Sequence, residues 1–162
     1  SHRARMADWD LHLTTLFPEA RLKRIIEVRG ADAVPRDLIC ALPALWKGIL
    51  YDAPACRAAW GLVEKWSTAE REEAQIAVAR QGLAAELGGQ SALELAKELV
   101  GIAGEGLGAI AARRPGASDE RHFLDPIRAQ LELGKSPGEV MAERWESDWA
   151  QDPHRVIEDC AY

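Results

Sequence analysis

The segment "RLKRIIEVR", which begins at Arg21, places one carboxylate among cationic and aliphatic side chains. An extended strand presents every second side chain on one face, which here gives Arg21, Lys23, Ile25, Glu27 and Arg29. Guanidinium groups bind phosphate oxygens through paired hydrogen bonds, and a carboxylate beside them can hold a divalent cation that bridges those oxygens. The face therefore predicts either a polyanion site with a metal ion or an edge strand whose charges are solvated. The pattern alone does not choose between these two interpretations.

The opposite face of the same strand carries mostly aliphatic side chains, namely Leu22, Arg24, Ile26 and Val28. Such a face suits a hydrophobic core, with Arg24 as its one exception. We therefore expect one continuous strand that belongs to an antiparallel sheet. The residues before it show no clear helix or helix cap.

From Pro35 onward the sequence is dominated by helix signals. Ser67, Ser91 and Ser136 are each followed three residues later by glutamate, which is the capping-box pattern of a helix start. Asp152, which precedes a proline, predicts a further short helix that ends near Cys160.

Proline and glycine residues mark the predicted interruptions. Pro43 should kink or break the helix around it, and Pro126 should disturb the middle of a helix over residues 118–133. The pair Gly88-Gly89 predicts a turn.

These patterns together predict an α+β fold that is predominantly helical, with an N-terminal strand segment of an antiparallel sheet and six or seven helices after it. We expect residues 1–34 to form the sheet and active-site segment and residues 35–162 to form the helical part of a single region.

Composition excludes several functional classes. The chain has 162 residues, 48% of them hydrophobic, and a net charge of −6, so it can close one core and lacks the basic balance of a nucleic-acid binder. The sequence contains no apolar run long enough to span a bilayer and no N-terminal signal pattern. We therefore expect a cytoplasmic protein without a membrane partner. Cys40, Cys56 and Cys160 form no metal-binding spacing, which predicts reduced and mostly packed thiols.

Four stretches carry a resemblance to a known family. They are "HLTTLFPEARLKRIIEVRGADAVPRDLICALPALWKGILYD" from His12, "STAEREE" from Ser67, "SPGEVMAERW" from Ser136, and the ending "DPHRVIEDCAY". In this order they resemble plant-type glutamate–cysteine ligases, members of the glutamine synthetase-like superfamily. The resemblance covers the whole chain and implies the C-terminal portion of a larger ligase, whose N-terminal part would be a required partner.

The resemblance also implies a reaction. In that family ATP phosphorylates the side-chain carboxylate of glutamate, and the amino group of cysteine then displaces phosphate. The product is γ-glutamylcysteine, in the first step of glutathione biosynthesis. The implied substrates are therefore glutamate, cysteine and ATP, the implied metal is Mg²⁺, and this chain alone is expected to be inactive.

The resemblance further assigns roles to the charged face. Glu27 would ligate magnesium, and Arg29 would contact the γ-phosphate as both a catalytic and a nucleotide-binding residue. Lys23 as a catalytic residue and Arg21 as a nucleotide-binding residue match the family's pattern, although both could instead be solvated surface groups. Asp32 would either support the site or cap its own turn.

Two departures from the family pattern are visible. Ala33 and Val34 replace a glycine pair, which should stiffen the loop after the strand. In the segment "VARQGLAAELGGQ" other residues replace the family's usual lysine, threonine and arginine, so substrate or nucleotide contacts made by those three residues are not expected here. A second hypothesis, a helical binding or regulatory module without chemistry, therefore remains open beside the ligase.

Overall fold

The computed structural model describes residues 3–22, 24–31, 34–114, 116 and 118–161. The chain divides into two compact units, Ser1–Val34 and Pro35–Tyr162. Each unit is described by itself below, as the first unit and the second unit.

The first unit begins with helix α1, Met6–Thr15. The expectation that no helix forms in this part of the chain is therefore wrong. The backbone amide of Arg5 donates to the carboxylate of Asp8 at 2.7 Å, so an acidic residue within the first turn engages the start of the helix. No serine or threonine stands at the cap position, which is why the start is hard to recognise in the sequence.

A hairpin follows, with strand β1, Ala20–Leu22, antiparallel to strand β2, Ile26–Val28. The prediction of one continuous strand from Arg21 is wrong, because the chain bends at Arg24 and Ile25 and returns. The hairpin places Arg21 directly opposite Glu27, and an opposite-charge pair at this position stabilises the turn-back of the chain.

The predicted apolar face of the hairpin is not buried. Leu22 is 81% exposed, Ile26 63% and Val28 37%. No described residue of the first unit is buried. The prediction of a core on this side of the strand is therefore not fulfilled within the first unit.

The second unit is helical. Its described helices are α2 Ala41–Leu50, α3 Ala53–Gly61, α4 Thr68–Gln81, α5 Ala92–Ala112, α6 Asp125–Leu133, α7 Pro137–Glu146 and α8 Pro153–Cys160. Short 3₁₀ helices span Arg36–Leu38, Gly82–Ala84 and Glu120–Leu124, and strands β3 Glu86–Leu87 and β4 Gln90–Ser91 form a second antiparallel hairpin. A predominantly helical α+β fold is thus confirmed.

The predicted helix starts are confirmed at the level of individual hydrogen bonds. The hydroxyl oxygens of Ser67 and Ser136 each accept the amide of the glutamate three residues later at 3.2 Å. The carboxylates of those glutamates accept the serine amides in return, both at 2.7 Å. The Ser91 hydroxyl accepts the corresponding amide at 3.4 Å, and the Asp152 carboxylate accepts the amide of His154 at 2.9 Å.

Each of the two prolines lies in the first turn of an α-helix, where a residue needs no intrahelical donor. Pro43 lies in α2, and the 3₁₀ helix Arg36–Leu38 precedes it, so the predicted interruption of the apolar run at Pro43 is confirmed. Pro126 lies in the first turn of α6, and the residues before it form the 3₁₀ helix instead of α-helix. The predicted disturbance at Pro126 is therefore real, and it divides the expected helix in two. Gly88 and Gly89 adopt φ values of 57° and 79°, which confirms the predicted turn.

Helix α5 is the centre of the core. The buried cluster around it consists of Ala44, Ile49, Val100, Ala103, Leu107, Leu124 and Leu131. Helices α2 and α5 approach each other backbone to backbone at Gly48 and Gly106. A Cβ atom added at Gly106 would overlap the carbonyl oxygen of Gly48 and lie 2.9 Å from its carbonyl carbon. The crossing therefore requires glycine at this position.

A buried carboxylate connects two helix ends in the second unit. Asp52 is 3% exposed and accepts the Ala55 amide at 3.1 Å, which caps α3. Its other oxygen accepts a hydrogen bond from Arg113, just after α5, at 2.6 Å. The Arg113 guanidinium, and next the Ala55 amide, hold the pKa of Asp52 below its usual range.

The C-terminal helices are joined through Asp159 of α8. Its carboxylate pairs with Arg144 of α7 and accepts the indole N–H of Trp149 at 2.6 Å. The Arg144 guanidinium also lies over the Trp149 ring, 4.6 Å from its centroid, and Trp149 is only 3% exposed.

Two remaining expectations concern cysteines and membranes. Cys40, Cys56 and Cys160 are exposed free thiols, so the prediction that they are mostly packed is wrong. Within the described ranges, no helix has both the length and the apolar character that crossing a bilayer requires.

Candidate functional site

The charged face predicted from the sequence is present on the first hairpin. Arg21 and Glu27 are cross-strand partners, and such partners project from the same side of a sheet. The Nε and Nη2 atoms of Arg21 lie 2.8 and 2.7 Å from Oε2 of Glu27. Arg29 approaches the other carboxylate oxygen, with Nη1 4.0 Å from Oε1. The structure therefore brings together three of the four predicted site residues.

Burial distinguishes this cluster from its surroundings. The side chains of Arg21, Glu27 and Arg29 are 15%, 39% and 27% exposed. Among the described residues of the first unit, these three and Val34 are the ones that are partly shielded from solvent. Arg21 and Arg29 are thus less exposed than the aliphatic Leu22 and Ile26 of the same hairpin, the reverse of ordinary packing.

Arg29 has two further contacts. Its guanidinium lies over the ring of Phe17, 4.8 Å from the centroid. Its backbone amide donates to the carbonyl oxygen of Glu19 at 2.8 Å, which extends the pairing of the two strands by one step. The segment between α1 and β1 therefore runs beside the end of β2.

The electrostatics of the cluster favour an anionic ligand. Two guanidinium groups face one carboxylate, so these three side chains carry a net positive charge. Arg21 uses part of its donor set on Glu27, whereas the longer separation between Arg29 and Glu27 leaves Arg29 donors available for another oxyanion.

The cluster fits a magnesium ion only in part. No group of three or more histidine, cysteine, aspartate or glutamate side chains in the described residues could hold a metal ion. Magnesium, however, is commonly held by one or two carboxylates together with substrate phosphates and waters. A single ligand from Glu27 is compatible with that arrangement, in which phosphate oxygens complete the coordination.

Some predicted residues contribute no geometry to the site. Lys23, Asp32 and Ala33 lie outside the described residues.

Sequence reasoning missed Phe17 and Glu19 as neighbours of the cluster. A single extended strand would hold both residues far from Arg29, and the contacts arise only once the hairpin has folded back. A signal existed in the Phe17-Pro18 step, since proline holds the preceding residue extended and so directs the chain toward a strand.

An apolar groove of the second unit differs in character from the charge cluster. It encloses about 620 Å³ between α2, α3, α4 and α5 and is lined by apolar side chains that include Trp46, Trp60 and Trp66. No charged side chain among the described residues lines this groove, so those residues cannot neutralise a polyphosphate there. The charge cluster of the first hairpin is therefore the better candidate for phosphate chemistry.

The family model for glutamate–cysteine ligase family 2 matches residues 1–159. The chain therefore belongs to this family, and the resemblance seen in its motifs is confirmed.

Named relatives are ligases of plants. The chain is 36% identical to the chloroplastic glutamate–cysteine ligase of Solanum lycopersicum, 37% to that of Arabidopsis thaliana and 36% to that of Brassica juncea, each over 155 residues. These matches cover 96% of the chain but only 28–29% of each relative. The chain thus spans less than a third of the length of the curated relatives it matches.

Proposed function

We propose that this chain supplies the phosphate-binding hairpin of an ATP-dependent glutamate–cysteine ligase, which forms γ-glutamylcysteine in the first step of glutathione biosynthesis. The observation that carries the proposal is the shielded cluster of Arg21, Glu27 and Arg29, in a chain that belongs to the ligase family. Its substrates would be glutamate, cysteine and ATP. The plant relatives are named as chloroplastic, whereas for this chain we keep the prediction of a cytoplasmic location.

The chemistry requires a concentration of positive charge. Transfer of a phosphoryl group from ATP to the side-chain carboxylate of glutamate brings anionic groups together, and their repulsion must be offset in the transition state. Arg29 would donate to oxygens of the transferred phosphoryl group, because its guanidinium is held at the edge of the cluster with donors to spare. Magnesium, when bound, would screen the phosphate charges and orient the nucleotide.

Glu27 and Arg21 would act as a unit. Arg21 fixes the Glu27 carboxylate through hydrogen bonds from two nitrogens, so the orientation of a metal-ligating oxygen would be set before magnesium arrives. The remaining donors of Arg21 point to a secondary role in nucleotide binding. Lys23 completes the proposed catalytic set as a residue outside the described part of the chain.

The hairpin would not act alone. The chain spans less than a third of its relatives, and the aliphatic face of the hairpin is exposed. We therefore propose that activity requires the remaining N-terminal part of a ligase, and that the 162 residues by themselves form no γ-glutamylcysteine.

A hybrid enzyme tests this proposal. The 155-residue matching segment of the Arabidopsis thaliana ligase is replaced by this chain, and ATP-dependent formation of γ-glutamylcysteine is measured. We expect an active hybrid in which Glu27→Gln or Arg29→Ala lowers kcat by about 100-fold or more, the scale of losing one charge-stabilising group.

The matched control is Glu94→Gln, which removes an exposed carboxylate that pairs with Lys97 on the same helix. It should leave kcat unchanged. A folded hybrid whose kcat is unaffected by both Glu27→Gln and Arg29→Ala would refute the ligase role of the cluster.

A binding or regulatory module without chemistry is the second candidate. It is favoured by the apolar groove of the second unit, which lies within a unit that encloses its own core. In that case the doubly substituted hybrid, with Glu27→Gln and Arg29→Ala, should keep full ligase activity.

A further inference from the structure

We infer that Phe17 is a positioning residue that holds the Arg29 guanidinium in the orientation required to bind phosphate oxygens. The inference rests on the proposed function and adds to it a residue that contacts no substrate itself. Phe17 acts through Arg29, and the backbone around Glu19 fixes where its ring lies.

The first step is the contact itself. The guanidinium carbon of Arg29 lies 4.8 Å from the centroid of the Phe17 ring, within the distance at which a cation is attracted to a π face. On another side, Nη1 of Arg29 lies 4.0 Å from the Glu27 carboxylate. The guanidinium is therefore held between an aromatic ring and an anion.

The second step is that the position of Phe17 does not depend on this contact alone. The amide of Arg29 donates to the Glu19 carbonyl oxygen at 2.8 Å. A Cβ atom at Gly30 would lie 2.6 Å from Oε2 of Glu19, so the absence of a side chain there lets Glu19 approach. These two contacts hold the segment that carries Phe17 beside the end of β2.

The third step is that burial in a hydrophobic core does not account for a phenylalanine at position 17. Its side chain is 76% exposed and thus gains little from removal of apolar surface from water. A guanidinium over a ring face keeps its five N–H donors in its own plane, where they remain available to oxyanions. The contact with Phe17 restricts the rotamers of Arg29, and donors that point away from the ring stay available to oxyanions.

Substitutions at position 17 distinguish the effect of the aromatic face from the effect of side-chain size. Phe17→Leu keeps an apolar side chain of similar size but removes the π face, whereas Phe17→Tyr keeps the face. Phe17→Leu should therefore release the Arg29 side chain, and Phe17→Tyr should retain it. Phe123, the second phenylalanine of the chain, provides the matched control in the second unit.

The experiment uses the full 162-residue chain and NMR of arginine side chains. The Nε–Hε signal of Arg29, assigned by its loss in Arg29→Lys, should be shifted by the Phe17 ring current. It should move toward an ordinary position in Phe17→Leu and stay in Phe17→Tyr and Phe123→Leu.

Titration with inorganic tripolyphosphate then tests the purpose of the contact. Phe17→Leu should weaken binding about threefold to fivefold, the scale of one exposed cation–π contact. Phe17→Tyr and Phe123→Leu should bind as the unsubstituted chain does. The inference is overturned if the Arg29 signal does not depend on Phe17. It is also overturned if either the Phe17→Leu chain or the Arg29→Ala chain binds tripolyphosphate as tightly as the unsubstituted chain.

Kinetics of the hybrid ligase distinguish failure of this inference from failure of the proposed function. If Arg29→Ala abolishes activity while Phe17→Leu leaves kcat and the KM for ATP unchanged, the inference fails and the ligase role stands. If Arg29→Ala retains activity, the ligase role of the cluster fails and the inference with it. The expected result is a KM for ATP raised about threefold by Phe17→Leu and restored by Phe17→Tyr.

Discussion

The two units of the chain differ in how far their hydrophobic residues are buried. In the second unit the apolar residues of α5 lie in a closed core, with Leu107 only 2% exposed. In the first unit Leu22 is 81% exposed, and the partly shielded side chains are mainly those of the charge cluster. The comparison teaches that an apolar pattern identifies the face that requires cover, whereas burial depends on whether the covering elements are present.

The largest effect is expected at the helix crossing of the second unit. Gly106→Val should destabilise the fold by about 3 kcal/mol or more, because the new side chain meets the backbone of Gly48, which cannot rotate away. Thermal or denaturant unfolding followed by circular dichroism measures the change.

The control for this prediction is another glycine of the same helix. A Cβ atom at Gly101 meets no atom within 4 Å, so Gly101→Ala should stabilise the chain by about 0.5–1 kcal/mol through helix propensity. Equal effects of the two substitutions would show that α2 and α5 do not cross closely.

Matched leucine substitutions test the comparison directly. Leu107→Ala should cost about 2–5 kcal/mol because it leaves a cavity, whereas Leu22→Ala should change the free energy of unfolding by no more than about 0.5 kcal/mol. Chemical denaturation of both variants provides the measurement. A similar cost at both positions would mean that the first unit possesses a core in solution, and the contrast between the units would be lost.

The pH dependence of stability should reveal the buried carboxylate of the second unit. The folded-state pKa of Asp52 is lowered, so its contribution to stability is present above the unfolded value of about 3.9 and is lost as pH falls through the folded pKa. The difference in denaturation midpoint between the unsubstituted chain and Asp52→Asn should therefore shrink below about pH 4.

Arg113 supplies the control for the Asp52 prediction. Its hydrogen bond is the largest cause of the lowered pKa, so Arg113→Gln should reduce the pH-dependent difference. A difference that is constant from pH 7 to pH 2 would contradict this assignment.

The smallest effect on stability is expected in the first unit. Arg21→Met should change the free energy of unfolding by less than about 1 kcal/mol, because its partner Glu27 remains more than a third exposed and water screens the pair. A double-mutant cycle with Glu27→Gln measures the coupling. A coupling above about 2 kcal/mol would show that the cluster stabilises the fold strongly. The first unit would then, like the second, contain side-chain contacts that contribute substantially to stability.

Much of the second unit could be predicted because its signals are local. A capping box involves residues three positions apart, so Ser67 and Ser136 announce their helices from the sequence alone. Helix α1 escaped prediction because Arg5, an unusual residue at the cap position, begins it.

The site could be predicted only in part, for a geometrical reason. The positions of Arg21 and Glu27 differ by an even number, so the two residues share a face in a single strand and also as opposed residues of a hairpin. The proximity of Arg21 and Glu27 was therefore predicted, although the single continuous strand from which it was predicted does not form. The contact between Phe17 and Arg29 depends on the hairpin itself, which periodicity does not specify.

The contact between Asp159 and Trp149 allows the C-terminal helices to be followed by intrinsic tryptophan fluorescence. Trp149 is the one buried tryptophan of the six, all of which are described, and its indole N–H is bound to a carboxylate. Separation of α8 from α7 would hydrate that indole and move its fluorescence to longer wavelength. Emission from this residue, isolated by replacing the other tryptophans with phenylalanine, would follow the fraying of the chain end without any attached dye.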